Sequence, residues 1–73
     1  MMQIDIFYCK QWNYVLQAAS LAAELHRVLN AEVKLVPGVN GIFDVVIDGK
    51  CVFSKSETGH FPEPGEITAK LKL

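Results

Sequence analysis

Gln3-Ile4-Asp5-Ile6-Phe7-Tyr8-Cys9-Lys10-Gln11-Trp12 is the stretch on which the fold turns, because two periodicities meet across it. Ile4, Ile6 and Tyr8 alternate with Gln3, Asp5 and Phe7, the two-residue period of a half-buried strand. From Asn13 to Leu29 the period lengthens. Asn13, Gln17, Ser20, Glu24 and Arg27 recur at steps of four and three, opposite Tyr14, Ala18, Leu21, Leu25 and Val28. The pattern predicts a strand that runs into an amphipathic helix of about five turns. Ala18, Ala19, Ala22 and Ala23 let that helix approach a sheet closely, and Asn30 suits the left-handed residue that ends it. Glu32 to Val36 alternates again, with Val33 and Leu35 inward, and Pro37-Gly38 is predicted to stop this second strand.

Further along, Ile42 to Ile47 and Lys50 to Ser54 read as strands joined by Asp48-Gly49, a dipeptide that supplies the two positive φ angles of a two-residue hairpin. Such a turn pairs Ile47 with Lys50, Val46 with Cys51 and Val45 with Val52. A three-residue turn would instead bring Cys51 and Phe53 to the side of Phe43, Val45 and Ile47. Asp-Gly favours the tight turn, which predicts an apolar patch of Phe7, Ile42, Val46, Cys51 and Phe53 on the sheet face away from the helices. A patch of that kind marks partner binding or weak self-association. Lys55 to Pro62 reads as a polar loop, and Glu63 to Leu73 as a short helix with Ile67 and Leu71 four apart. The expected architecture is a single α/β domain over residues 1–73, a compact two-layer sandwich of order β-α-β-β-β-α with a mixed four-stranded sheet.

Composition narrows the function. With 51% apolar and 21% charged residues in 73, the chain has enough apolar surface to fold and room for one core. Seven basic and eight acidic side chains give a net charge of -1 without a basic cluster, which argues against nucleic acid as partner. No apolar run approaches the roughly 18 to 20 residues that span a bilayer, and the first residues lack the basic start of an export signal, so the expectation is a cytoplasmic protein with no membrane partner. Two cysteines are too few for a disulfide framework. Nor can they build a structural zinc site without both histidines, His26 and His60, in positions the spacing does not suggest, so no metal is expected.

A strand, a helix and the next strand of one sheet are normally parallel, with a right-handed crossover. Taking the carboxyl end of the first strand as the top, the loops around residues 10–12, 37–41 and 55–62 converge there, while Asp48-Gly49 and Cys51 lie at the bottom. Cys9 would follow a parallel strand and directly precede the helix, where free amides and the positive helix end stabilise a thiolate, with Lys10 as a nearby cation. Open α/β sheets also bind ligands at this end.

These residues carry a resemblance. Phe7-Tyr8-Cys9-Lys10-Gln11, the helix residues Ala18-Ala19, Leu21-Ala22 and Glu24-Leu25, then Val36-Pro37-Gly38 with Gly41, the Asp48-Gly49 hairpin, Ser54-Lys55 and Gly59-His60-Phe61-Pro62 are similar to the selenoprotein W-like Rdx family over almost the whole chain. The resemblance implies a thioredoxin-like fold and a thiol-linked redox role with glutathione as partner or co-substrate and no bound cofactor. Members usually carry Cys-x-x-Cys or Cys-x-x-selenocysteine after the first strand, whereas here Trp12 replaces the second sulfur. A dithiol cycle needs that second thiolate, so only a monothiol route through Cys9 remains, exchanging with glutathione or a protein thiol. The alternative is a degenerate, non-enzymatic member that binds a protein partner at the same surface, which leaves enzymatic activity open.

Around Cys9, Trp12 is expected to pack over the helix start, filling the volume by the thiol and reducing its access, with a lid or a stacking surface for a peptide as the sharper option. His60 reads first as a solvated loop residue, and as a base or cation for Cys9 in the functional alternative. Pro37, Gly38 and Gly41 form either an ordinary turn or a loop through which the backbone approaches a ligand, and Gly59, Phe61 and Pro62 make up the facing loop. Cys51 reads as a packing residue.

Overall fold

The alternation of Ile4, Ile6 and Tyr8 produces strand β1 (Gln3–Cys9), in which Ile4 and Ile6 are fully buried. The computed structural model, which describes residues 2–12 and 14–71, continues with α1 (Val15–Leu29), β2 (Glu32–Gly38), β3 (Phe43–Ile47), β4 (Lys50–Ser54), the single-turn helix α2 (Lys55–Thr58) and α3 (Glu66–Leu71). The sheet order is β2-β1-β3-β4, with β1 parallel to β2 and antiparallel to β3, and β4 antiparallel to β3. The expected element order and mixed sheet are present, and α2 adds one turn within the segment read as loop.

The core is a single layer of apolar side chains between sheet and helices. Ile4, Ile6, Phe43, Val45, Ile47 and Phe53 meet Ala18, Leu21 and Leu25 of α1 and Ile67 of α3. The predicted stripe of α1 needs one correction. Val28 is exposed, and Ala22 and Leu29 pack on the core instead. Leu29 falls about three full turns after Ala18 and so shares its face, which Val28 misses. Asn30 ends the helix at φ 53°, its N–H donating to the His26 carbonyl at 3.0 Å. The helix begins at Val15; the predicted start, Asn13, lies outside the described residues.

Strand β2 runs through Pro37 to Gly38 rather than stopping before them. It is an edge strand, so the proline costs no ladder bond on a second side.

Asp48 and Gly49, at φ 49° and 85°, form the predicted tight turn. The Asp48 carboxylate accepts from the Gln3 N–H at 3.0 Å, and the Asp48 N–H donates to the Gln3 carbonyl at 2.9 Å, tying the hairpin to β1. Register begins as expected, with Ile47 opposite Lys50 and Val46 opposite Cys51, and then slips so that Val45 faces Phe53. Val52 is thus a β-bulge, one extra residue on β4. The bulge carries Phe53 to the core side, where it is buried, so the expected apolar patch loses that member. Phe7, Ile42 and Val46 are only half-buried, and Asp5 and Asp44 lie among them. Cys51 keeps the helix-free face and is exposed rather than packed.

Candidate functional site

Cys9 is the last residue of β1 and pairs with Gly38 at the end of β2. Because pairing persists this far, the chain leaves Cys9 extended and needs a turn before it can coil. The Lys10 N–H donates to the Gly38 carbonyl and the Tyr14 N–H to the Cys9 carbonyl, both at 3.2 Å. Helix α1 opens only at Val15, capped by Tyr14 without a side-chain bond. The expectation that Cys9 directly precedes the helix is therefore corrected, since residues 10–14 intervene. Alternation sets Cys9 on the side of Asp5 and Phe7, opposite Ile6 and Tyr8. It is fully buried, yet outside the hydrophobic cluster under the helices.

The turn after β2 packs beside this corner. Gly38 shares the face of Cys9, and a Cβ on it would fall 2.7 Å from Ile42 Cγ2, so the isoleucine closes on Gly38. Asn40 and Gly41 take φ 62° and 74°, and the Ile42 N–H donates to the Val39 carbonyl at 3.3 Å, closing a tight turn. The Trp12 indole rests on Gly41, where a Cβ would fall 2.8 Å from Cε3 and 3.0 Å from Cη2. The sequence thus brings Pro37, Gly38, Gly41 and Trp12 to one corner with Cys9. Trp12 is nevertheless 59% exposed and packs on this turn as well as near the start of the helix, against Tyr14.

From Trp12 a series of edge-to-face rings runs inward. Trp12 and Tyr14 are 6.0 Å apart, Tyr14 and Phe61 4.7 Å, and Phe61 and Phe43 5.1 Å, with interplanar angles of 83 to 85°. Such pairs stabilise by about 0.5–1.5 kcal/mol beyond their area. The Lys55 ammonium sits 5.3 Å from the Phe61 centroid and 5.8 Å from that of Tyr14. Phe61 and Pro62 also line a cleft of about 270 Å³ against Leu16, Gln17, Ser20 and Glu24 of α1. Tyr14 and Lys55 had no site role in the sequence reading. Nothing local marks them, because Phe61, which joins them, is remote in the chain from Tyr14.

His60 is exposed, with its ring edge-on to Phe53 at 5.9 Å and Nδ1 2.6 Å from the Phe61 carbonyl. Its contacts are with its own loop and β4, not with Cys9. Gly59 ends α2 at φ 82° with open space around it, so its conformation, not a ligand, calls for glycine there. Lys10 is exposed beside Cys9 in sequence. Cys51 is on the far strand, its thiol donating to the Phe53 carbonyl at 3.4 Å. Among the described residues no group of three or more His, Cys, Asp or Glu side chains could hold a metal, and no helix is long and apolar enough to cross a membrane.

The sequence pattern of the Rdx family matches residues 3–73. None of the curated proteins compared with the chain matches it. The crystal structure of a selenoprotein W-related protein from Vibrio cholerae is 30% identical and aligns with a TM-score of 0.88 over 97% of this chain and 92% of its own. A crystal structure of a Bordetella parapertussis protein is 32% identical, with a TM-score of 0.90 over 97% of this chain and 94% of its own. A match over nearly the full length, joined to the same mixed sheet and helix layer, means that this chain belongs to the Rdx family.

Proposed function

We propose that the chain is a thiol-based redox module of the selenoprotein W-like type, acting through Cys9 alone, with glutathione or a protein thiol as its exchange partner. The observation that carries this reading is the position of Cys9 at the carboxyl end of the parallel strand pair, with Trp12 where a second sulfur would stand. The Cys9 thiol loses its proton to solvent, and the thiolate attacks one sulfur of oxidised glutathione. An S–S bond forms to Cys9, the glutathione disulfide breaks, and one glutathione thiolate leaves. A second glutathione thiolate attacks the glutathione sulfur of the mixed disulfide, which restores oxidised glutathione and frees Cys9. Since Cys9 is fully buried, each exchange needs the thiol to be brought to the surface. A cytoplasmic, reducing compartment is the setting this reading supposes, both cysteines being unbridged.

Mass spectrometry of the folded protein after treatment with oxidised glutathione tests it, with Cys51→Ser as background to remove the exposed thiol. One glutathione adduct is expected at Cys9, absent after Cys9→Ser and reversed by reduced glutathione. A folded Cys51→Ser protein that takes up no adduct would sink the redox reading. A second reading is favoured by the full burial of Cys9 together with the exposure of Trp12: a non-enzymatic module that binds a protein partner at this surface.

A further inference from the structure

We propose that the cleft between α1 and residues 61–64 binds an extended segment of a partner protein that carries a bulky apolar side chain and, about four residues away, a basic one. The proposal stands on the cleft alone and does not depend on Cys9 chemistry. Leu21 and Phe43 form the floor and are buried, while Leu16, at 69% exposed, and Phe61 offer apolar walls open to solvent. A volume of about 270 Å³ lies below the roughly 300–1,000 Å³ of small-molecule sites and suits one or two side chains.

Charge sets the direction. Leu16, Ser20 and Glu24 succeed one another along α1 over about 12 Å, so the apolar end and the acidic end are about three to four extended residues apart. Glu24 and Glu63 are the charged groups of the lining, and no basic residue is among the described residues that form it. Glu24 accepts from the Gly65 N–H at 3.0 Å through Oε2, which holds the carboxylate in the lining of the cleft. Lys55 stands over the Phe61 and Tyr14 rings and does not line the cleft. Pro62 and Pro64 have no N–H, so the loop wall is a poor template for strand addition and recognition falls to side chains.

The test is an NMR titration of the full ¹⁵N-labelled chain with a capped hexapeptide carrying leucine at its first position, arginine at its fifth and serine elsewhere, against the same peptide with glutamate at its fifth. Saturable shifts are expected at Leu16, Gln17, Ser20, Glu24, Phe61 and Glu63 with the arginine peptide. Glu63→Lys and Leu16→Asp, both at exposed positions, are each expected to weaken binding about tenfold, and Cys9→Ser to leave it unchanged. No saturable binding, shifts centred elsewhere, equal affinity for the glutamate peptide, or unchanged affinity in both variants would overturn the proposal. So would the same shifts appearing without peptide as protein concentration rises, because the occupant would then be a second copy.

Discussion

Trp12 stands three residues after Cys9, and its indole rests on Gly41, where a Cβ would collide with the ring. An alanine at position 41 would have to hold φ near 74° and displace the ring, so Gly41→Ala is expected to lower stability by about 1–3 kcal/mol in urea unfolding. Trp12→Ala separates cover from core. With its side chain more than half exposed, its loss should cost little stability, while alkylation of Cys9 by iodoacetamide in a Cys51→Ser background should speed up several-fold. An unchanged rate in a well-folded variant would show that the indole does not limit access to the thiol. The place of Cys9 at a strand end was legible, because the two-residue period stops there. Its reduced access beside Trp12 and the 37–41 loop was legible from the topology, whereas full burial was not, because it depends on side-chain packing that no period encodes.

Among the elements, α3 is held by a short apolar contact. Ile67 is fully buried in the common core, and Gly65 and Lys70 tie the helix to Glu24 and to the Val52 carbonyl. Ile67→Ala is expected to cost about 2–5 kcal/mol, against a total of about 4–11 kcal/mol for a domain of this length. Urea midpoints of wild type and variant are the check. Elements with a strong period, β1, α1 and the Asp48-Gly49 hairpin, could be read from sequence. The Val52 bulge could not, because both faces of β4 carry apolar residues and alternation cannot say which should turn inward. The burial of Phe53 settles it. Likewise α1 begins at Val15, later than its pattern, because pairing of β1 with β2 keeps the chain extended to Cys9 and the turn starts only at Lys10.

For the whole molecule, the sheet keeps the two cysteines apart. Cys51 pairs with Val46, which pairs with Asp5, so it sits four residues below Cys9 and two strands across. At about 3.3 Å per residue and 4.8 Å per strand the separation is about 16 Å, well beyond the roughly 7 Å a disulfide tolerates between α carbons. Peptide mapping of the oxidised native monomer is expected to find no Cys9–Cys51 crosslink. The outer strands, β2 and β4, have a further consequence for how the domain behaves in a crowd of its own copies. Pro37 removes a donor from one border, and on the other the Val52 bulge bends the strand while the Lys70 ammonium occupies the Val52 carbonyl at 3.2 Å. Deleting Val52 would keep Phe53 facing inward yet straighten that border, and paired with Pro37→Thr it should yield a folded chain that seeds thioflavin-positive fibrils. On that expectation the kink and the proline keep a sheet open on both sides from becoming a template for polymerisation.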